Sequence, residues 1–381
     1  MPPARVTLSL KPALRPLSSV RPRRAFYSTD AGPVLRVTDL PAPNSGHIRI
    51  LELNRPSARN AISRALLSSL QSEVDAVHAQ YDPATGAEIP IASWNRKFGG
   101  TLGDSERGPT RALIIASAID ESFCSGADLK ERKGFTPEEY VCSTVHEKLI
   151  TTGTRWTARK GSSLDFFANL RPPNRTAAFL LTLRATFASL AALPIPTISA
   201  ISSLALGGGL ELALSTHFRV LSSNAVVGLP ETRLGIIPGA GGTHRLPAIV
   251  GVSRARDLIL TGRRVSAAEA YFLGIADRLV EVAPESEEQQ KEWEALEEKA
   301  LHKKILATAR TAALSEAVRL ATEISEGGPV AIRAGLKAVS DAQGPSETLE
   351  NKMYERVVAT EDRNEALKAF AEKRKPVFKG R

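Results

Sequence analysis

The 381-residue sequence predicts an α/β fold, and three observations support this prediction. Apolar runs of strand length, such as 111–118, Thr197–Ile201 and Phe218–Ser222, are separated by stretches of helical periodicity. No segment repeats elsewhere in the chain. From residue 284 onward the sequence becomes highly charged and almost wholly helical in pattern. Strands alternate with helices before this charged helical segment, which indicates an α/β core followed by a C-terminal helical region.

The first 29 residues have the composition of a mitochondrial presequence. They contain six basic residues, several serines and no Asp or Glu, and they end in a segment suited to processing near Phe26 and Tyr27. A disordered basic arm is the alternative. This leader accounts for six of the nine net positive charges, so 44 basic and 41 acidic residues remain. The net charge therefore does not indicate nucleic-acid binding. Because of the presequence composition, we expect a protein of the mitochondrial matrix.

Cysteine content and hydropathy limit the possible classes further. Cys124 and Cys142 lack the spacing of a metal site, so we expect a reduced compartment, no disulfide and no metal. The uncharged stretch 185–210 is long enough to raise the question of a membrane span. Because Pro194, Pro196 and three glycines interrupt it, we interpret it as a helix end, a strand and a loop of a soluble protein.

Upstream of residue 176, a Pro- and Gly-containing lead-in at 30–46 precedes a predicted strand at His47–Leu53 and a predicted helix over 60–79. We interpret 82–110, which is rich in Gly, Pro and Asn, as a surface insert. A second insert at 151–175 interleaves five basic residues with aromatic ones, which is compatible with plain surface or with nucleotide or RNA contact. The core then spans residues 30–283 and the helical region 284–381.

Capping patterns predict further helices. Thr136 is followed by Pro137 and by Glu139 three positions later, which predicts a helix start. Ser266 and Glu269 form the same pattern. Apolar spacing predicts a helix over 177–193, directly before the strand at Thr197–Ile201.

The most informative stretch carries three consecutive glycines, 207–209, before an Ala/Leu-rich helix. Glycines let a backbone approach a ligand, and the first N–H groups of a helix lack internal partners. Glu211 lies in the first turn, and Glu231 returns after one short strand, in a turn opened by Pro230. Backbone donors with two carboxylates suit a reaction that builds charge on a carbonyl oxygen while a proton moves nearby. A plain tight turn is the alternative.

A nucleotide-binding glycine loop does not fit this stretch. The pattern G-x-G-x-x-G fails at both glycine-rich runs, because Leu212 and His244 stand where the last glycine belongs.

Five motif blocks occur in order along the chain: Asn54-Arg-Pro with Ala58-Arg-Asn-Ala61; Ser125-Gly-Ala-Asp-Leu-Lys130; Ala205-Leu-Gly-Gly-Gly-Leu-Glu211; Pro230-Glu231 with Ile237-Pro-Gly-Ala-Gly-Gly-Thr243; and Ala369-Phe-Ala-Glu-Lys-Arg374. Together they resemble the enoyl-CoA hydratase/isomerase (crotonase) superfamily. The resemblance implies a spiral of β-β-α turns and a C-terminal helical region that forms trimers, usually paired into hexamers. Its members act on acyl-CoA thioesters, in which coenzyme A is part of the substrate, so no separate cofactor is expected.

The resemblance also implies roles for individual residues. The backbone N–H groups of Ala127 and Gly208 would form the oxyanion hole, and Glu211 and Glu231 would handle the water and the α-carbon proton. Coenzyme A would be bound by Ala58, Arg59, Asp128, Leu129 and Lys130, and, from a neighbouring subunit, by Phe370 and Lys373. Members that only isomerise commonly keep one of the two acids, so both together favour a hydratase.

Within the superfamily the sequence resembles most the mitochondrial 3-methylglutaconyl-CoA hydratases of leucine catabolism, which are also reported to bind AU-rich RNA. Ser57 replaces a lysine of many short-chain hydratases, and the basic residue is Arg59 instead. The lysine comb of the RNA-binding relatives is incomplete here, because Ser68 and Ser69 follow Arg64. The alternatives are a general short-chain hydratase of β-oxidation and an RNA-binding protein on a hydratase scaffold.

Overall fold

The computed structural model describes residues 32–83, 85–90, 108–128, 175–284, 286–341, 356–357 and 360–381. The strands there are β1 Leu35–Pro41, β2 His47–Leu53, β3 Thr110–Ser117, β4 Ser122–Cys124, β5 Thr197–Ile201, β6 Leu204–Leu206, β7 Phe218–Ser222, β8 Val226–Gly228, β9 Arg264–Ser266 and β10 Arg278–Val280. The helices are α1 Arg64–His78, α2 Arg175–Ala191, α3 Gly208–Ala213, α4 Gly242–Val250, α5 Val252–Thr261, α6 Ala267–Phe272, α7 Glu287–Glu294, α8 Glu298–Ser325, α9 Pro329–Ser340 and α10 Glu361–Ala371. Two 3₁₀ helices span Pro56–Ala58 and Pro230–Leu234.

Some predictions fall outside these residues. The structure does not describe the leader, the helix start at Thr136 or residues 151–174 of the second insert. Of the insert at 82–110, it describes only the two ends.

The strands form two sheets, with the orders β1-β2-β3-β5-β7-β10 and β4-β6-β8-β9. After β3, β5 and β7 the chain passes directly into β4, β6 and β8 of the second sheet. Helices α2 and α3 precede the return to the first sheet after β4 and β6, whereas β8 is followed by α4, α5 and β9 of the second sheet before α6 leads to β10. The pairings from β2 to β10 in the first sheet and from β4 to β8 in the second are parallel. This succession is the spiral of β-β-α turns that the resemblance implied, so the predicted fold class is confirmed.

The continuous apolar run of β3 is explained by burial on both faces. Leu113 and Ile115 pack into the core that contains α1 and α2. Ile114 packs on the other face, against the small side chains Ala313 and Ala317 of α8. Because successive strand residues point to opposite faces, a strand covered on both sides reads as one apolar stretch. The long helix of the charged C-terminal region thus completes the packing of the main sheet.

The helix predicted over 60–79 begins later, at Arg64. Asn60 adopts a left-handed backbone with φ 55°, and its amide donates hydrogen bonds to Ser117 Oγ at 2.9 Å and to the Phe123 carbonyl at 3.1 Å. Ser63 caps the helix, because its hydroxyl accepts a hydrogen bond from Leu66 N–H at 3.2 Å. Asn60 therefore fastens the strand ends that precede the site and does not belong to the helix.

The lead-in contains β1, an edge strand that pairs antiparallel with β2. Its middle residues are exposed, so its sequence lacks the apolar alternation by which a strand is recognised. The stretch 185–210 is divided between α2, β5, β6 and the start of α3. Among the helices of the described residues, none combines the length and the apolar content needed to cross a bilayer.

Candidate active site

A cavity of about 520 Å³ lies where the second sheet meets α2 and the 3₁₀ helix Pro230–Leu234. Its lining includes Ala127, Gly208, Glu211 and Glu231, all four of the residues expected to carry the chemistry. Segments far apart in sequence meet here because β4, β6 and β8 are neighbours in one parallel sheet and their carboxyl ends lie at the same edge.

The glycine run forms the turn from β6 into α3. Gly207 has φ 53° and ψ −127°, a left-handed conformation that favours glycine, and Gly208 is the first residue of the helix. The N–H of Gly208 therefore has no acceptor within its own helix. Glycine is also needed for space at position 207, because a Cβ there would lie 2.9 Å from Glu231 Oε1.

The loop after β4 supplies the second amide. Ile62 pairs in parallel with Ala127: Ile62 N–H donates to the Gly126 carbonyl at 2.8 Å, and Asp128 N–H donates to the Ile62 carbonyl at 3.1 Å. In such pairing the bonds run from the flanking residues, so the N–H of Ala127 is directed away from Ile62. It lies 3.5 Å from the position that a Cβ on Gly208 would occupy. The two backbone amides are thus close neighbours.

Close packing between this loop and α3 fixes the distance between the two amides. A Cβ on Gly209 would lie 2.2 Å from the carbonyl oxygen of Cys124, and one on Gly126 would lie 2.9 Å from the Leu206 oxygen. Neither gap admits a side chain. The glycines at these positions therefore allow the loop and the helix to meet.

Glu211 is only 2% exposed, and backbone donors of the α4 N-terminus hold its carboxylate. Its Oε1 accepts hydrogen bonds from Ala240 N–H at 2.7 Å and from Gly242 N–H at 2.9 Å. The positive end of the α4 dipole and these two donors compensate the cost of burying the charge. Gly242 must lack a side chain, because a Cβ there would lie 3.1 Å from Glu211 Oε1 and 2.9 Å from Leu229.

Arg245 of α4 adds a positive charge behind this carboxylate. Its Nη1 donates to the Ala240 carbonyl at 2.9 Å, on the residue whose N–H holds Glu211. Burial lowers the pKa of Arg245, and the attraction of Glu211 opposes that shift. Arg245 thus stabilises the turn by a hydrogen bond to Ala240 and stabilises the Glu211 carboxylate by its positive charge.

Glu231 reaches the same cavity from the 3₁₀ helix Pro230–Leu234. It is 8% exposed, and Pro230 fixes the start of that helix, as the sequence predicted. Its Oε1 lies beside Gly207, the residue that directly precedes Gly208 in the chain. The cavity therefore brings one carboxylate to each end of the first turn of α3, Glu231 beside Gly207 and Glu211 three residues after Gly208.

Three of the residues expected to contact coenzyme A lie next to the loop that begins at Ser125, a residue that lines the cavity, although none of the three is part of the described lining. Ser125 N–H donates to the Arg59 carbonyl at 3.1 Å, and Ser125 Oγ donates to the Ala58 carbonyl at 3.3 Å. Asp128 accepts from Arg55 Nη2 at 3.1 Å, which ties the 125–128 loop to the 3₁₀ turn. Arg59 has φ 49°, so this turn ends in a left-handed residue.

The remaining expected contacts are placed apart from the cavity or are not described. Leu129 and Lys130 lie outside the described residues. Phe370 is 86% exposed at the end of α10, and Lys373 follows in a left-handed conformation with φ 53°. Neither is part of the described lining of the cavity.

Sequence reasoning missed several residues of the site. Ala240 and Gly242 act through backbone N–H groups, and a backbone role leaves only the weak signal of the glycine-rich run at 239–242. Arg245 stands three residues after that run. Arg184 lines the cavity from α2, and its signal was that it is the one charged residue within the helix predicted over 177–193. Within the described residues no group of three or more His, Cys, Asp or Glu could hold a metal ion.

Comparison with known proteins identifies the family that shares this architecture. The sequence profile of the enoyl-CoA hydratase/isomerase family matches residues 160–323. The structure aligns with an enoyl-CoA hydratase from Bacillus anthracis at a TM-score of 0.62 and 32% identity, covering 91% of this chain and 99% of the other. The chain belongs to the enoyl-CoA hydratase/isomerase family.

Two relatives similar in sequence are methylglutaconyl-CoA hydratases. The chain is 61% identical to methylglutaconyl-CoA hydratase 1, mitochondrial, of Pyricularia oryzae, over 100% of both sequences. It is 33% identical to the mitochondrial methylglutaconyl-CoA hydratase of Mus musculus, over 94% of this chain and 88% of the relative.

Proposed function

We propose that this protein is a mitochondrial hydratase that adds water across the double bond of 3-methylglutaconyl-CoA in leucine breakdown. One observation carries the proposal: a single cavity holds two adjacent backbone amides and two buried carboxylates, Glu211 and Glu231. The full-length similarity to a methylglutaconyl-CoA hydratase supports the choice of acyl group. The names of the relatives support a mitochondrial location, and the acid-free leader supports the matrix.

The two amides would stabilise the developing negative charge. Addition of water to an unsaturated thioester passes through an enolate-like state, in which the thioester oxygen gains charge. The N–H groups of Ala127 and Gly208 would both donate to that oxygen. In comparable sites one such donor contributes roughly 2.7–4 kcal/mol to the transition state. Because the glycine contacts hold both amides in place beforehand, little reorganisation is needed during the reaction.

The two carboxylates would act as one acid–base unit on a single water. Two backbone donors hold one oxygen of Glu211 and favour its ionised form, which suits a group that orients and deprotonates water. Glu231, beside Gly207, would supply the proton to the α-carbon. We infer that no separate cofactor takes part, since water, two carboxylates and the thioester account for every atom transferred.

Coenzyme A would extend from the cavity along Ala58, Arg59 and Asp128 and onward to Leu129 and Lys130. The hydrogen bonds between the 3₁₀ turn and the 125–128 loop support this path. Phe370 and Lys373, exposed at the end of α10, would contact the adenine end bound to a neighbouring subunit in a trimer or hexamer. Helix α1 contains no lysine, so its charge does not favour RNA as a second function.

The test is the rate of hydration of 3-methylglutaconyl-CoA, measured beside crotonyl-CoA, for the wild type, Glu211→Gln, Glu231→Gln and the double variant. Glutamine keeps the shape and a hydrogen bond but cannot transfer the proton, so kcat should fall by about 10²–10⁴-fold in each single variant. The double variant should be little worse than the poorer single one, because both groups serve one transition state.

Binding of an unreactive CoA thioester should change little in all three variants, because the amides and the coenzyme A contacts remain. A single variant with near wild-type kcat would contradict the two-carboxylate mechanism. Wild-type activity on crotonyl-CoA alone would favour a general short-chain hydratase.

A further inference from the structure

Part of the cavity lining is aliphatic, and one basic side chain interrupts it. Leu180, Leu183, Ile236 and Ile237 supply aliphatic surface. Arg184 interrupts it and is the only basic side chain among the described residues that line the cavity. Helix α2 carries it, so a rigid element and not a loop sets its position.

Arg184 is connected to the catalytic groups through two adjacent residues. Its Nε donates to the carbonyl of Gly239 at 2.7 Å, and the next residue, Ala240, donates its N–H to Glu211 at 2.7 Å. The guanidinium therefore lies beside the segment that holds the catalytic carboxylate. Its Nε makes the contact with Gly239, and the two terminal nitrogens of a guanidinium carry four further N–H donors in the fork with which arginine binds carboxylates.

The charges of the cavity explain why an anionic acyl group needs such a residue. Glu211 and Glu231 are both buried in the same cavity. A substrate with a carboxylate at the far end of its acyl chain brings a third acidic group into this space. Without a cation nearby, repulsion between like charges and loss of hydration would weaken its binding. Arginine binds carboxylates with charge-assisted, often paired hydrogen bonds.

We propose that Arg184 determines specificity by binding the terminal carboxylate of a dicarboxylic acyl-CoA, while the neighbouring aliphatic side chains contact the carbon chain and its branch. This inference rests on the proposed hydratase function and adds the group that selects the substrate. The terminal carboxylate is separated from the β-carbon by one methylene and takes no part in the bond changes. Arg184 therefore acts on the choice of acyl group and not on the transfer of the proton.

The experiment compares kcat/KM for 3-methylglutaconyl-CoA with that for crotonyl-CoA, in the wild type and in Arg184→Gln. We expect kcat/KM for the dicarboxylic substrate to fall by about 10- to 100-fold, the usual cost of losing hydrogen bonds to a charged group. The value for crotonyl-CoA reports the separate cost of losing the hydrogen bond to Gly239, and it should fall by less than the value for the dicarboxylic substrate. Equilibrium binding of unreactive glutaryl-CoA and valeryl-CoA should show the same selective loss. The phosphates of coenzyme A make both ligands sensitive to salt, so in the wild type added salt should weaken glutaryl-CoA binding more than valeryl-CoA binding.

Arg233 offers a matched control. Its Nε also donates to a backbone carbonyl, that of Thr261 at 2.6 Å, and it is likewise exposed, but it does not line the cavity. Arg233→Gln should keep the wild-type ratio between the two substrates. Arg184→Lys keeps a positive charge and should recover part of the preference.

Three results would overturn the inference. An unchanged substrate ratio in Arg184→Gln, with both rates reduced, would mean that Arg184 only supports Gly239. An equal change in Arg233→Gln would remove the link to the cavity. A wild type that hydrates crotonyl-CoA but not 3-methylglutaconyl-CoA would refute the proposed substrate itself. The activity of the wild type on both substrates is therefore measured before the variants are prepared.

Discussion

The substitution Gly209→Ala tests whether the spacing of the two amides controls catalysis. Gly209 is not one of the described residues that line the cavity. An added Cβ would lie 2.2 Å from the carbonyl oxygen of Cys124 and 2.9 Å from its carbonyl carbon. Ordinary contact is 3.4–4 Å, so the loop that carries Ala127 must retreat from α3 by roughly 1 Å. The Ala127 amide would then no longer reach the thioester oxygen that we propose it shares with the Gly208 amide.

Loss of one oxyanion donor typically lowers kcat by about 10²–10³-fold, and a displacement of about 1 Å in a positioned group costs a comparable factor. We therefore expect kcat for crotonyl-CoA to fall by about 10²-fold or more, although no acid, base or donor has been replaced. Overpacking should also lower the free energy of unfolding by about 1–3 kcal/mol. The assay is the loss of ultraviolet absorbance of the conjugated thioester, run beside urea unfolding on the same preparation.

Gly335→Ala is the control, because a Cβ at this position in α9 meets nothing within 4 Å. It should keep wild-type kcat and raise the free energy of unfolding by about 0.5–1 kcal/mol, since alanine favours the helix. A folded Gly209→Ala enzyme with kcat within about threefold of the wild type would refute the reasoning. The contact at Cys124 would then be relieved without moving the amide.

Two further predictions concern titratable groups away from the cavity. Burial raises the pKa of Cys124 to about 12, so its thiol should resist alkylation in the native protein at mildly alkaline pH and react only after unfolding, as peptide mapping would show. Rapid native labelling of Cys124 would contradict this. Burial, with a smaller contribution from Arg219, lowers the pKa of His217 from 6.5 to about 4. The folded state therefore binds fewer protons between these values, and the free energy of unfolding should fall by about 2–3 kcal/mol as the pH drops from about 6.5 towards 4. His217→Gln should flatten this dependence in urea titrations, and an unchanged slope would exclude His217 as its source.

The sequence alone determined the fold class because its periodic patterns are local. The apolar run at 111–118 and the pattern of Thr197–Ile201 predicted buried strands, and both strands are present, with β3 covered on both faces. Ser266 was predicted to cap a helix, and its hydroxyl accepts from Glu269 N–H at 3.3 Å. Capping and periodicity depend on neighbours a few residues away, so they can be read without the tertiary fold.

The boundaries of elements were less predictable where long-range contacts decide them. The helix expected from residue 60 begins at Arg64, because the Asn60 side chain bonds to Ser117 and Phe123 instead. The edge strand β1 carries little apolar signal, since its middle residues are exposed and its core contacts are made near its ends, by Leu35 and Leu40. Its hydrogen bonds to β2 involve backbone atoms, which the side-chain pattern does not record.

The sequence also named the chemical groups of the site: the glycine run, Glu211 and Glu231 each carry a recognisable motif. Only the tertiary structure decided how they are arranged. It placed the Ala127 and Gly208 amides side by side, assigned Ala240 and Gly242 to the Glu211 carboxylate, and brought Arg184 into the lining of the same cavity. These relations join β4, β6, β8 and α2 at one sheet edge, and they depend on contacts between segments tens of residues apart. A local pattern specifies which group is present, whereas distance and orientation exist only once the parallel strands have been brought together.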